Sequence, residues 1–107
     1  MEFSPEVIAQ LESEHGPIDV GFQIYESDFG SAAFRPPKPQ EWQRYLDEMN
    51  QEALKSRALK HLVFSCAIAP DKAEFQALID SRPGLVQGFG NQLVDFAGMF
   101  GVRVRKK

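Results

Sequence analysis

The spacing of apolar residues changes abruptly at a proline-rich segment, residues 35–39. Before this segment, Ile18, Val20, Phe22 and Ile24 alternate with other residues, which is typical of a strand with one buried face. After it, apolar residues recur at helical spacing. The three prolines of the segment exclude helix and remove backbone donors. We therefore expect a small sheet before the segment and helices after it.

The part of the chain before the prolines predicts one helix and a hairpin. Ser4 suits an N-cap and Pro5 the first helical position, so residues 4–15 are expected to form a short helix. Residues 18–25 predict a strand, and the turn-rich stretch that follows leads to a return strand at 32–35. A hairpin alone is marginal in water, so it must pack on helices or pair with another edge.

Helical spacing then extends from residue 39 to about residue 68. Trp42 and Met49 belong to its apolar face, and Glu48 is among the charged residues assigned to the opposite, solvated face. One long helix fits this pattern, and so do two helices with a bend near residues 50–51.

Two further helices complete the prediction. Asp71 followed by Glu74 resembles a capping box and predicts a helix over residues 72–80. A second helix, rich in glycine, is expected to end near residue 99. Glycines retained inside a helix indicate close approach to a neighbouring element. Residues 102–105 alternate and could form a late strand or stay mobile.

These patterns predict an α+β fold. We expect an N-terminal helix and a β-hairpin, or a three-stranded sheet, packed on a bundle of three to four helices. The length of 107 residues suits one domain, residues 1–107. Within it, residues 18–35 are the hairpin, residues 39–100 the helical part and residues 101–107 a basic tail.

Composition excludes several classes of protein. No run of 18 apolar residues is present, so no membrane partner is expected, and the lack of a signal-peptide pattern favours the cytoplasm. The single cysteine cannot form an internal disulfide. A net charge of −3 makes nucleic-acid binding unfavourable, since such binding needs dense positive charge.

Motifs that carry chemistry are weak or incomplete. Residues 28–30 spell the kinase Asp-Phe-Gly string, but the chain is too short for a kinase and lacks the accompanying motifs. Gly-Phe-Gly at residues 88–90 lacks both a preceding strand and the third glycine of a dinucleotide fingerprint. His15, His61 and Cys66 are not spaced as a metal site, and Cys66 on the apolar face predicts a buried structural thiol. We expect no catalytic residue, no cofactor and no metal.

Some aromatic and methionine side chains exceed what a small core obviously needs. Such residues, when exposed, mark protein interfaces. The candidates are Phe29, Trp42, Phe96, Met99 and Phe100. Packing within the chain is the alternative explanation for each.

Several stretches together resemble a known family. They are Phe34-Arg35-Pro36-Pro37 leading into Glu41-Trp42-Gln43-Arg44-Tyr45-Leu46, then Leu62 to Asp71, and Arg82-Pro83-Gly84-Leu85 before a glycine-rich helix. Over residues 20–100 the chain resembles small tail assembly chaperones encoded in the structural gene clusters of tailed phages and prophages. The resemblance implies a non-enzymatic protein that binds the tail-tube or tape-measure protein, and it is compatible with homo-oligomers.

A second class of function stays open. A small cytoplasmic regulatory or adaptor protein would also fit, touching nucleic acid through the basic tail that includes Arg103 and Arg105. Nucleic-acid affinity that falls steeply with salt would distinguish this alternative.

Overall fold

The computed structural model describes residues 3–99 and 102–105. An N-terminal helix and a hairpin precede two consecutive helices, a third strand and two more helices, so the predicted α+β class is confirmed. The elements in chain order are α1 (Pro5–His15), β1 (Gln23–Tyr25), β2 (Ala32–Phe34), α2 (Pro39–Met49), α3 (Glu52–Cys66), β3 (Ala67–Ala69), α4 (Lys72–Ser81) and α5 (Leu85–Phe96).

The three strands form one antiparallel sheet in the order β1-β2-β3. Ala33 at the centre of β2 pairs with Ile24 of β1 and with Ala69 of β3. All three residues of β2 are buried. Since successive side chains of a strand point to opposite faces, β2 contributes to a core on each side of the sheet.

The larger core lies between the sheet and helices α3, α4 and α5. We call it the main core; its buried residues are Tyr25, Ala32, Phe34, Leu62, Val63, Cys66, Phe75, Ile79, Val86, Phe89, Leu93 and Val94. A second core, Leu11, Phe22, Ala33 and Ala69, lies under α1 on the other face. The sheet is therefore the middle layer of three.

Helix caps follow the predicted pattern. The hydroxyl of Ser4 accepts a hydrogen bond from the Val7 amide at 3.3 Å, which begins α1. The carboxylate of Asp71 accepts from the Glu74 amide at 2.9 Å, which begins α4. Of the two alternatives for residues 39–68, the bend near residues 50–51 is correct, because Gln51 adopts an extended conformation between α2 and α3.

The predicted strand over residues 18–25 is wrong in its first half. Val20 is 72% exposed and Ile18 41% exposed, and both lie in a tight turn in which the amide of Gly21 donates to the carbonyl of Pro17. Asp19 there has a φ of 69°. The alternation is misleading because Ile18 and Val20 lie in this turn, outside the sheet, and because both faces of the sheet are covered, so that Tyr25 is buried as well as Phe22.

Two other boundaries also differ from prediction. The apolar run expected to stay helical to residue 68 leaves the helix after Cys66 and forms β3, since short apolar runs fit either a buried helix or a buried strand. Helix α5 ends at Phe96 rather than near residue 99. Of the two alternatives for residues 102–105, the late strand is excluded, because these residues form no strand and Val102 and Val104 are exposed. Within the described ranges, no helix is long and apolar enough to span a bilayer.

Candidate protein-interaction site

One face of α3 presents polar and aromatic side chains that the main core does not absorb. Arg57, Lys60, His61 and Phe64 are spaced at i, i+3, i+4 and i+7, which places them on one side of the helix. Arg57 and Lys60 are exposed, whereas His61 and Phe64 are half-buried. These residues form one wall of a surface depression between α3 and α4.

The floor of this depression is apolar. Phe64 meets Phe75 of α4 edge to face, with ring centroids 5.0 Å apart, so the lower part is closed by aromatic rings. One hollow, of about 190 Å³, has Phe64, Ala67, Pro70, Lys72, Phe75 and Gln76 as its lining. An adjoining hollow of about 280 Å³ shares Phe64 and Gln76 with it and reaches Arg57, Lys60 and His61. We call the two together the α3–α4 groove.

The rim of the α3–α4 groove is basic. Its charged lining residues are Arg57, Lys60 and Lys72, with His61 on the α3 wall, and no carboxylate lines either hollow in the described part of the chain. Arg57, Lys60 and Lys72 make no ion pair within 4.0 Å among the described residues. The ammonium of Lys60 lies 5.8 Å from the Phe64 ring centroid, within cation–π range.

A buried carboxylate holds the α3 wall against α2. The Nδ1 of His61 lies 2.6 Å from Oε2 of Glu48, which is only 5% exposed. Arg44 approaches the other oxygen, Oε1, to 3.3 Å but without hydrogen-bond alignment, so this oxygen has no hydrogen-bond partner among the described residues. The prediction that Glu48 belongs to a solvated face is wrong, because α3 folds back over it and supplies His61.

A second polar contact fixes the end of α3. The guanidinium of Arg35 donates to both carboxylate oxygens of Glu41 at 2.7 Å and to the carbonyl of Ser65 at 2.8 Å. The Arg35 hydrogen bonds, followed by one from the Lys38 amide, hold the pKa of Glu41 at about 2 despite partial burial. We call this arrangement the Arg35 clamp; it joins β2, the start of α2 and the last turn of α3.

Cys66 is fully buried in the main core, as predicted. Burial raises the pKa of its thiol to about 12, and the nearby Glu41 carboxylate raises it further than Arg35 lowers it. Burial likewise raises the pKa of Tyr25, with Asp95 adding to the effect. Within the described ranges, no three His, Cys, Asp or Glu side chains converge as a metal site would require.

The predicted interaction residues differ in their exposure. Phe29 is 54% exposed at the hairpin turn, where the guanidinium of Arg82 stacks over its ring at 4.3 Å. Met99 is 57% exposed beyond the end of α5. Trp42 and Phe96 are half-buried and pack against the main core. Phe100 lies outside the described residues.

Sequence reasoning missed the α3–α4 groove. The spacing of residues 57, 60, 61 and 64 was visible, but Phe64 stands in an apolar run that predicts burial. The other half of the floor comes from Phe75, on a helix separated from α3 by the strand β3. Only the packing of those two helices shows that an apolar floor stays open beneath basic side chains.

Comparison with known proteins places the chain in a family without assigning it an activity. A family model described as a domain of unknown function, DUF6848, matches residues 25–105. No curated protein matches the sequence. A solved structure of the uncharacterised protein rbstp2171 from Bacillus stearothermophilus is similar, with a TM-score of 0.73 at 21% identity, over 92% of this chain and 98% of that one. That likeness concerns the fold.

Proposed function

The chain belongs to the DUF6848 family, and we propose that it is a non-enzymatic protein of tailed-phage or prophage tail assembly that acts through protein–protein contacts. The observation that carries this proposal is the α3–α4 groove. An open apolar floor on a packed scaffold is a surface suited to a protein partner. The compartment that fits this role is the host cytoplasm.

The groove coincides with part of the sequence on which the resemblance to tail assembly chaperones rests. The stretch from Leu62 to Asp71 forms the end of α3 and all of β3, and it contributes Phe64, Ala67 and Pro70 to the groove. The segment from Leu62 to Asp71, which carries part of the resemblance, therefore contributes to an open surface as well as to the core.

The scaffold around the groove suits an assembly factor. His61 and Glu48 hold α3 against α2, and the Arg35 clamp fixes the end of α3. A wall held in this way loses little conformational freedom when a partner binds, which favours association. The expected partner is the tail-tube or the tape-measure protein.

Co-expression tests the proposal. The chain would be produced with the tail-tube protein, and separately with the tape-measure protein, of the phage or prophage that encodes it. We expect a soluble complex with one of them, measured by size-exclusion chromatography with light scattering. The variant Phe64→Lys, which fills the groove with charge, should lose the complex.

Val20→Lys, in the exposed turn before β1, is the matched control and should keep the complex. A gene outside any phage structural cluster, or failure to bind either tail protein, would contradict the proposal. Binding to DNA that weakens steeply with salt would favour the adaptor alternative instead.

A further inference from the structure

We infer that the α3–α4 groove binds an acidic amphipathic helix of the partner protein. The inference rests on the proposed function, since it specifies the chemistry of the segment that a partner would place there. It follows from the shape of the groove and from the charge of its rim, which are independent observations.

The shape fits a helix. The α3 wall runs from Arg57 to Phe64, eight residues of regular helix, and the seven rises of about 1.5 Å between them span roughly 10 Å. The hollow at its lower end continues past Ala67 to Pro70. A partner helix that lies along such a wall makes contact over two to three turns, with apolar side chains at i, i+3 or i+4, and i+7.

The floor selects apolar side chains. The ring of Phe64 is half-buried, with one side against Phe75, and Ala67 and Pro70 add aliphatic surface beside it. In the described part of the chain, the polar side chains that line this hollow are Gln76 and, at the rim, Lys72. An apolar stripe on the partner helix would therefore displace water here at little polar cost.

The rim selects negative charge. Arg57, Lys60 and Lys72 stand around the floor without a carboxylate within 4.0 Å among the described residues. The whole chain carries a net charge of −3, so this cluster of positive charge at the groove is opposite in sign to the protein as a whole. Glutamates or aspartates flanking the apolar stripe would meet these cations, which raises the rate of association and discriminates against basic partners.

The same rim would attract a nucleic acid, but the remaining features disfavour it. A nucleic-acid surface needs a chain of cations along the backbone path, whereas this chain has an overall negative field and an aliphatic patch at one end of the groove. We therefore commit to the peptide and treat an oligonucleotide as an outcome of the test.

A matched peptide panel provides that test. Three stapled, fluorescently labelled helices of roughly 14 residues, about four turns, share one leucine stripe and carry either glutamate, glutamine or lysine on the polar face. Anisotropy titration of the full chain should show the glutamate helix binding about tenfold or more tighter than the glutamine helix. The lysine helix should bind weakest, and the preference should shrink as salt is added.

Variants of the chain assign the binding to the groove. The double variant Arg57→Glu/Lys60→Glu should invert the preference, so that the lysine helix binds better than the glutamate helix. Lys55→Glu is the control, because Lys55 is exposed on the same helix but lines neither hollow. It should leave the order of the three affinities unchanged. Circular dichroism checks that each variant is folded.

Each other outcome overturns the inference. Equal affinity for the three helices, an order unaffected by the double variant, or tighter binding of a single-stranded oligonucleotide than of the glutamate helix would each do so. Failure of the inference is distinguishable from failure of the proposed function. If a tail protein binds and Phe64→Lys abolishes that binding while the panel shows no charge preference, the assembly role stands and the acidic helix does not.

Discussion

Replacing Gly90 by alanine measures how closely α5 approaches α3. Gly90 is buried within α5, and a Cβ at this position would lie 2.6 Å from Cγ and Cδ1 of Leu59 and 2.7 Å from its Cδ2. Because Cγ is as close as the methyl carbons, rotating the methyl groups does not relieve the contact. The whole Leu59 side chain, or one of the helices, has to move.

Two opposing effects set the magnitude. Alanine gains up to about 1 kcal/mol over glycine inside a helix. Forcing an extra carbon into a packed contact costs about 1–3 kcal/mol. We therefore expect Gly90→Ala to lower the free energy of unfolding by up to about 2 kcal/mol. Gly88 lies in the same helix with no atom within 4 Å of its Cβ position, so Gly88→Ala should keep the gain and stabilise the protein.

The free energies of unfolding of the two variants can be compared by urea unfolding, monitored by circular dichroism, provided that the two variants have the same m-value. The difference between them should be about 1–3 kcal/mol, which for a chain of this size corresponds to roughly 4 °C or more in melting temperature. If Gly90→Ala proves as stable as Gly88→Ala, then α5 does not approach α3 as described and the argument from packing fails.

Three further predictions concern buried and paired polar groups. Arg35 lowers the pKa of Glu41 to about 2 in the folded protein, so the ionised Glu41 carboxylate stabilises the fold fully above its usual pKa of 4.5, and this stabilisation is lost as the pH falls towards 2. Glu41→Gln should flatten the fall in the free energy of unfolding over this pH range, measured by urea titration. The exposed control Glu12→Gln should leave the fall unchanged. Because burial raises the pKa of the Cys66 thiol to about 12, this thiol should not react with a thiol reagent at pH 8 until the protein unfolds. Rapid labelling of the folded protein would contradict the burial of Cys66. His61→Leu should lower the free energy of unfolding by about 1–3 kcal/mol, because it leaves the buried Glu48 carboxylate without its hydrogen-bond partner. Adding Glu48→Leu should restore much of this stability. A double-mutant cycle that shows no coupling between the two positions would refute the contact.

The sequence was sufficient where local rules decide the structure. Ser4 and Asp71 cap helices as their positions predict, and the prolines before α2 separate sheet from helix. These features depend on residues within three or four positions, so no knowledge of distant packing is needed. The α+β class follows from them together with the change in apolar spacing.

What the sequence could not supply depends on contacts between distant segments. Glu48 looks like a solvated residue until His61, 13 positions later, folds over it. Ala67 to Ala69 are a strand only because β2 is there to pair with them. The α3–α4 groove depends in the same way on two helices that meet at Phe64 and Phe75.

The Arg35 clamp makes three distant segments interdependent. A single guanidinium binds the carboxylate at the start of α2 and a carbonyl in the last turn of α3, while the Arg35 amide donates to the carbonyl of Cys66. None of these segments can detach without breaking charge-assisted bonds made by the others. Amide protons around the clamp should therefore exchange with solvent as one cooperative opening unit, slower than those of the turn at residues 17–21.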